Sequence, residues 1–176
     1  MAAPALDQMI AEGKAMPGSR VDLARSSIAM AVRAGAQKPD ISTVAAFTKA
    51  LLEAGSIAYS ASASGVYLSS EVLPRLPGGD RIMAKSRKIM SERVGSVVAR
   101  GDAEIGFQQL SELIPIKGID IVGPLPAELQ RITVFSAGVA AGAKEPEAAR
   151  ALIACLAAPE AAPAIVKSGL EPVAAR

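Results

Sequence analysis

The chain has 176 residues, of which 51% are hydrophobic and 20% charged, with a formal net charge of +2 at pH 7. That length supports one good core or two small lobes sharing a hinge, and the composition is globular rather than disordered. Aromatics make up only 3% and basic residues are scattered among acidic ones, so a nucleic-acid binder's stacking platform and phosphate-tracking stripe are both missing.

Histidine is absent and Cys155 is the only cysteine. This removes most zinc, haem and thiol–imidazole chemistry, and neither metal nor cofactor is expected. No apolar stretch approaches the ~20 residues of a membrane helix. Met1 is not followed by a basic and then an apolar segment, so the chain as it stands carries no secretory signal and reads as cytoplasmic.

Residues 4–14 carry Leu6, Met9 and Ile10 at helical spacing, stopped by Gly13. Residues 20–33 start polar and become a strand around Ile28, Met30 and Val32. Ser42 is expected to cap a helix with Val44, Phe47, Leu51 and Leu52 on one face. Residues 56–59 form a short strand, followed by a small-residue loop over 60–65 and a helical pattern up to Pro74. Residues 82–89 read as a weaker strand with alternating basic residues, and a helix follows from Ser91 to Gly101. Further strands are expected at 119–122 and 131–140. Two terminal helices, 146–156 and 159–166, each have proline in the first turn. Cys155 sits among Leu152, Ile153 and Leu156 and reads as a buried, inert thiol. The strand–helix alternation over 56–122 predicts an α/β fold with a mostly parallel sheet.

The most informative stretch is 103–113. Ile105, Gly106 and Phe107 follow the turn pair Gly101-Asp102 and precede helical spacing, so a buried strand feeds a helix there. Gln108 and Gln109 fall at the strand's carboxyl end, the edge where open α/β sheets bind ligands. Neutral amides grip a solute without acid–base chemistry. They could equally cap the following helix. The 60–65 loop offers Ser62, Ser64, Gly65 and Val66 as anion ligands at a helix start, against the plainer reading of Ser64 as an N-cap. Arg25 and Ser26 are candidates because arginine pairs bidentately with carboxylates. Glu104 and Glu112 make no acid–base pair on this reading. Tyr67 reads as core, and Arg93 as a solvated cation oddly placed at a helix start.

The segments DLARSSIAMAVRAGAQKPDIS, SIAYSASASGVYLS, ARGDAEIGFQQLSELIPIKGIDIVGPLP and TVFSAGVAAGAKEPEAARALIACLAAPEAAPAIVKSGLEP run in an order that resembles periplasmic type II solute-binding proteins, in their molybdate-binding branch. The resemblance implies one complete α/β lobe over 35–130, and a partial second lobe from 1–34 and 131–176, joined by two crossing strands. Ligand would lie in an interlobe cleft. It implies a periplasmic receptor for a small oxyanion or organic carboxylate, partnered by the membrane permease of an ABC transporter. Family members begin with a strand–helix–strand unit that this chain lacks, so it reads as shortened at its start. Exposed apolar faces and homo-oligomers follow from that reading. The molybdate binders place a tyrosine where this chain has Gln109. Related branches include an aconitate isomerase and the effector domains of LysR-type regulators, so a tricarboxylate isomerase and a regulatory domain stand as alternatives to the receptor.

Overall fold

The structure is a computed structural model and describes residues 1–173. Strand β2 (Ile28–Arg33) is buried at five consecutive positions, as a strand covered on both faces must be. It sits between β5 (Ile105–Gln109) and β6 (Ile119–Pro124), antiparallel to both. Strand β3 (Ile57–Ser60) pairs in parallel with β5 and with the edge strand β4 (Ser86–Ile89). The sheet order is β4-β3-β5-β2-β6. Four strands therefore run one way and β2 alone runs against them, making the sheet mixed rather than mostly parallel in its ladders.

Period-2 alternation assigns the two faces. Ile28, Met30 and Val32 of β2 join Ile105 and Phe107 of β5 in the main core, with Phe47 and Leu51 of helix α2 (Val44–Glu53). Phe47 meets Phe107 edge-to-face at 5.8 Å, the arrangement the ring quadrupoles favour. On the opposite face β2 and the start of β5 show small residues. Ala29 and Ala31 face Leu113 of α6 (Leu110–Leu113), and Ala58 lies under Val94, Val97 and Val98 of α5 (Val94–Arg100). A Cβ on Gly106 would come within 2.5 Å of Val98. Small strand residues are thus what let α5 lie so close.

The chain divides into two units, Ser27–Arg131 and the residues on either side of it. The five-stranded sheet belongs to the first of these. The other unit has a three-stranded sheet, β7-β1-β8, from β1 (Val21–Ser26), β7 (Thr133–Ala137) and β8 (Glu171–Pro172). Helix α1 (Ala3–Ala11) buries Ala3 and Leu6 in this unit, and Leu6 lies against Gly138. The C-terminal helices α7 (Pro146–Ala157) and α8 (Ala162–Lys167) leave Leu152 and Val166 60% exposed.

Several local expectations give way. The strand expected around Ile28, Met30 and Val32 is β2, but the polar start of 20–33 also forms a strand, β1, since Ser26 and Ser27 fall where the chain passes between units. Residues 82–84 are helical, ending α4 (Gly79–Ala84), because Ile82 is fully buried with Leu73 in the core; only 86–89 is strand. The cap of α2 is Thr43, whose Oγ1 accepts from the Ala46 amide at 3.1 Å. Ser42 instead donates its amide to Asp40. Cys155 is exposed, because Ile153 is the buried residue of α7 and carries its inward face.

Candidate functional site

Strand β3 ends at Ser60, and α3 (Ala63–Tyr67) starts three residues later. Ser60, Ser62 and Ser64 bring their hydroxyls together, with Oγ–Oγ distances of 2.7, 3.2 and 3.3 Å. Ser60 and Ser64 are buried, whereas Ser62 is exposed. The cluster can form only because the next residue is glycine: a Cβ on Gly65 would stand 1.7 Å from the Ser60 carbonyl oxygen. The helix start passes directly over the strand end. Ser64 is not the N-cap; that position is Ser62, which makes no side-chain cap. Val66 is exposed and its amide donates to the Ser62 carbonyl.

Gln108 and Gln109 lie at the carboxyl end of β5, alongside β3 in the same sheet and running the same way. The serine cluster and the two glutamines therefore share one sheet edge. Gln108 does cap a helix, but the preceding one: its Oε1 accepts from the buried Val94 amide at 2.9 Å, the first residue of α5. Gln109 is buried and takes the N-cap position of α6 without a side-chain cap bond. The Leu110 amide donates instead to the Ser27 carbonyl, which ties α6 to the start of β2.

Around this edge lies a second cluster that sequence spacing did not reveal. The Arg131 guanidinium sits 3.8 Å from the centre of the Tyr67 ring and pairs with both oxygens of Glu71 at 2.9 and 2.8 Å. The Tyr67 hydroxyl donates to the Leu129 carbonyl. Between those residues, Gln130 exchanges two 2.9 Å hydrogen bonds with the Ile28 backbone. Tyr67 is thus no plain core residue. Arg131 holds Glu71 below the usual carboxylate range, and Arg100 does the same to Glu92. Arg93 is exposed at the start of α5 and makes no ion pair among the described residues. One Glu112 carboxylate oxygen is buried with no hydrogen-bond partner among the described residues.

Arg25 and Ser26 lie on β1, in the other unit, with Arg25 exposed and Ser26 buried. Among the described residues, no group of three or more His, Cys, Asp or Glu side chains could hold a metal ion. A cavity of about 790 Å³ opens at the opposite end of the five-stranded sheet, lined by Arg33, Asp40, Lys49, Glu53, Ser56 and Glu104 among others. It lies at the amino ends of β3 and β5, the wrong edge for an α/β ligand site. Its acidic and basic groups also offset one another.

A mixed α/β unit with hydroxyls and amides gathered at the carboxyl ends of its strands has the architecture of a type II periplasmic solute-binding protein. The chain belongs to the family of bacterial extracellular solute-binding proteins, whose model matches residues 1–171. A curated relative, an aconitate isomerase from a Pseudomonas species, is 53% identical over all 176 residues, covering 67% of that protein. Among solved structures, the substrate-binding domain of a putative molybdenum ABC transporter from Clostridium difficile superposes with a TM-score of 0.70 at 19% identity, over 96% of this chain and 72% of that one. The periplasmic molybdate-binding protein of Azotobacter vinelandii gives 0.67 at 22% identity, over 99% and 76%. At those identities the two structures speak for the fold alone.

Proposed function

We propose that this protein binds an aconitate-type tricarboxylate at the carboxyl edge of its five-stranded sheet and interconverts the cis and trans isomers. The observation that carries this reading is the 53% identity, over the chain's whole length, to an aconitate isomerase. The serine cluster supports it, because hydroxyls rotate freely to donate to carboxylate oxygens. Each hydrogen bond to a charged group contributes about 1.5–3 kcal/mol. Ser62, at the exposed corner of the cluster, meets the solute first on this reading. Gln109, where molybdate binders carry a tyrosine, is consistent with an organic anion.

Family membership favours a second reading, in which the protein captures a small anion outside the cytoplasm and delivers it to the permease of an ABC transporter. One experiment separates the two. Titration calorimetry with trans-aconitate, molybdate and sulfate reports binding, and proton NMR of trans-aconitate with the protein reports turnover. Growth of cis-aconitate signals supports the isomerase. Tight binding without interconversion supports the receptor, and binding of none of the anions would exclude both.

A further inference from the structure

Ala58 and Gly106 lie under α5, Ala58 against Val94, Val97 and Val98, and Gly106 close to Val94 and Val98. Side chains alternate along a strand, so Ser60 and Gln108, two residues further on, point to the same face. They stand side by side, one step beyond the Tyr59–Phe107 pair of the β3–β5 ladder, at a strand spacing of about 4.8 Å. Gln108 bears out that direction by accepting from the Val94 amide at 2.9 Å. On its other side Ser60 pairs with Ile89 at the end of β4, and the Ala61 amide donates to the Ile89 carbonyl at 3.1 Å. Residues 90–93 leave from that point and lead back to α5. Ser60 therefore has Gln108 on one side and the root of the loop that ends in Arg93 on the other. Arg93 is the neighbour of the Val94 that Gln108 holds, with about 3.8 Å between their Cα atoms.

Arg93 takes the N-cap position of α5 and makes no side-chain cap. Small polar residues are preferred there, and a cation opposes the helix dipole. Its neighbours do not neutralise it. Glu92, next to it in the chain, is bound by both terminal nitrogens of Arg100, which also pairs with Asp102. Arg93 has no ion pair or hydrogen bond among the described residues. A side chain that breaks the local preference with no compensating contact marks a place where function outweighs folding. Arg93 and Ser62 are both exposed, so a solute reaches each of them directly from solvent. We propose that Arg93 is a substrate-binding residue, its guanidinium receiving one carboxylate of the solute while the serine hydroxyls hold another; this rests on the tricarboxylate reading above. The planar fork of arginine matches a carboxylate with two parallel hydrogen bonds. The Val94 amide is already taken by Gln108, so what α5 offers the solute is this side chain and not a free backbone donor. Neutral hydroxyls and amides do not rank solutes by charge. Arg93 does, and favours a solute whose separate carboxylates engage both groups over a monocarboxylate.

The test applies titration calorimetry with trans-aconitate, and a thermal melt without ligand, to the whole chain. Arg93→Ser is expected to weaken trans-aconitate binding by about 10- to 100-fold, the loss of a charge-assisted pair. It is also expected to raise the ligand-free Tm by about 2–4 °C, because serine caps α5. Arg93→Lys keeps the charge without the fork and is expected to fall between wild type and Arg93→Ser in affinity. Arg33→Ser removes another exposed arginine, from the opposite end of the sheet, and is expected to leave affinity within about twofold at 0.15 M salt. An Arg93→Ser variant that gains stability yet binds trans-aconitate like wild type overturns the assignment and leaves the tricarboxylate reading standing. Equal losses of affinity in Arg93→Ser and Arg33→Ser overturn it too, since they mark a general effect of net charge. So does a fall in Tm that accompanies the lost affinity, which marks a structural role. A wild type that binds no tricarboxylate removes that reading and this assignment together.

Discussion

Arg131 lies over Tyr67, its guanidinium carbon 3.8 Å from the ring centre, while both of its terminal nitrogens engage Glu71. Tyr67 and Glu71 are four residues apart, so they present to the same side of the helical segment that begins at the serine cluster. Arg131 is the last residue before the chain leaves its unit. The loop that carries the serine cluster and the departing chain are thereby joined through three side chains. Arg131→Ala is expected to cost about 1–2 kcal/mol, from the lost cation–π contact and the exposed ion pair together. Tyr67→Phe keeps the ring and removes only the bond to Leu129, at about 0.5–1.5 kcal/mol. Urea denaturation of the two variants against wild type checks the order.

The Arg131–Glu71 pair also sets a pH dependence. The folded Glu71 carboxyl titrates below its ordinary value of 4.5, chiefly because Arg131 donates to it. A depressed carboxyl contributes stability that is fully present above its unfolded pKa and is lost as pH falls through the folded one. Glu71→Gln is therefore expected to lower Tm slightly at pH 7 and to show a shallower fall in Tm below about pH 4.5. The pair is solvent-exposed, which keeps the effect small. Melting curves from pH 3 to 7 test this, and equal acid limbs in the two proteins would contradict it.

Gly65 is fixed by contact rather than by backbone dihedral. Its Cβ position lies 1.7 Å from the Ser60 carbonyl oxygen, so Gly65→Ala must push α3 off the end of β3. A loss of about 2–4 kcal/mol is expected, and dispersal of the serine hydroxyls should abolish anion binding. Gly142, with open space around it, is the matched control: Gly142→Ala should leave both stability and binding unchanged.

Gln108 caps α5 from a neighbouring strand through a buried bond. Gln108→Ala leaves the Val94 amide buried and unmatched, at about 1–3 kcal/mol. Gln108→Glu keeps an acceptor at that position and should lose less at neutral pH. The pair of variants in guanidinium titrations separates the cap from mere packing.

On the proposed tricarboxylate reading, Ser62→Ala is expected to weaken binding by about tenfold, the loss of one hydrogen bond to a charged group. Tm in the absence of ligand should hardly move, because Ser62 is exposed. Calorimetry paired with a thermal melt distinguishes this from a stability effect.

The sequence by itself determined most of what is local. The strand around Ile28, Met30 and Val32, the strand IGFQQ, the helix face carrying Phe47 and Leu51, and the small-residue run after Ser60 were all legible, because spacing alone decides which side chains share a face. Even the glutamines at a strand end could be placed that way. Where local pattern misled, tertiary contact had overridden it. Residues 82–84 look like strand but wind into a helix because the core takes Ile82, and Cys155 looks buried in a helix whose inward face is Ile153. Tertiary structure alone decided the long-range pairings: Gln130 on Ile28, 102 residues apart, Arg131 on Tyr67, and Gln108 on the helix before its own strand. It also left one oxygen of Glu112 buried without a donor among the described residues. No spacing rule reaches such facts, because they depend on which distant segment arrives at a given sheet edge, and that is fixed only when the whole core closes.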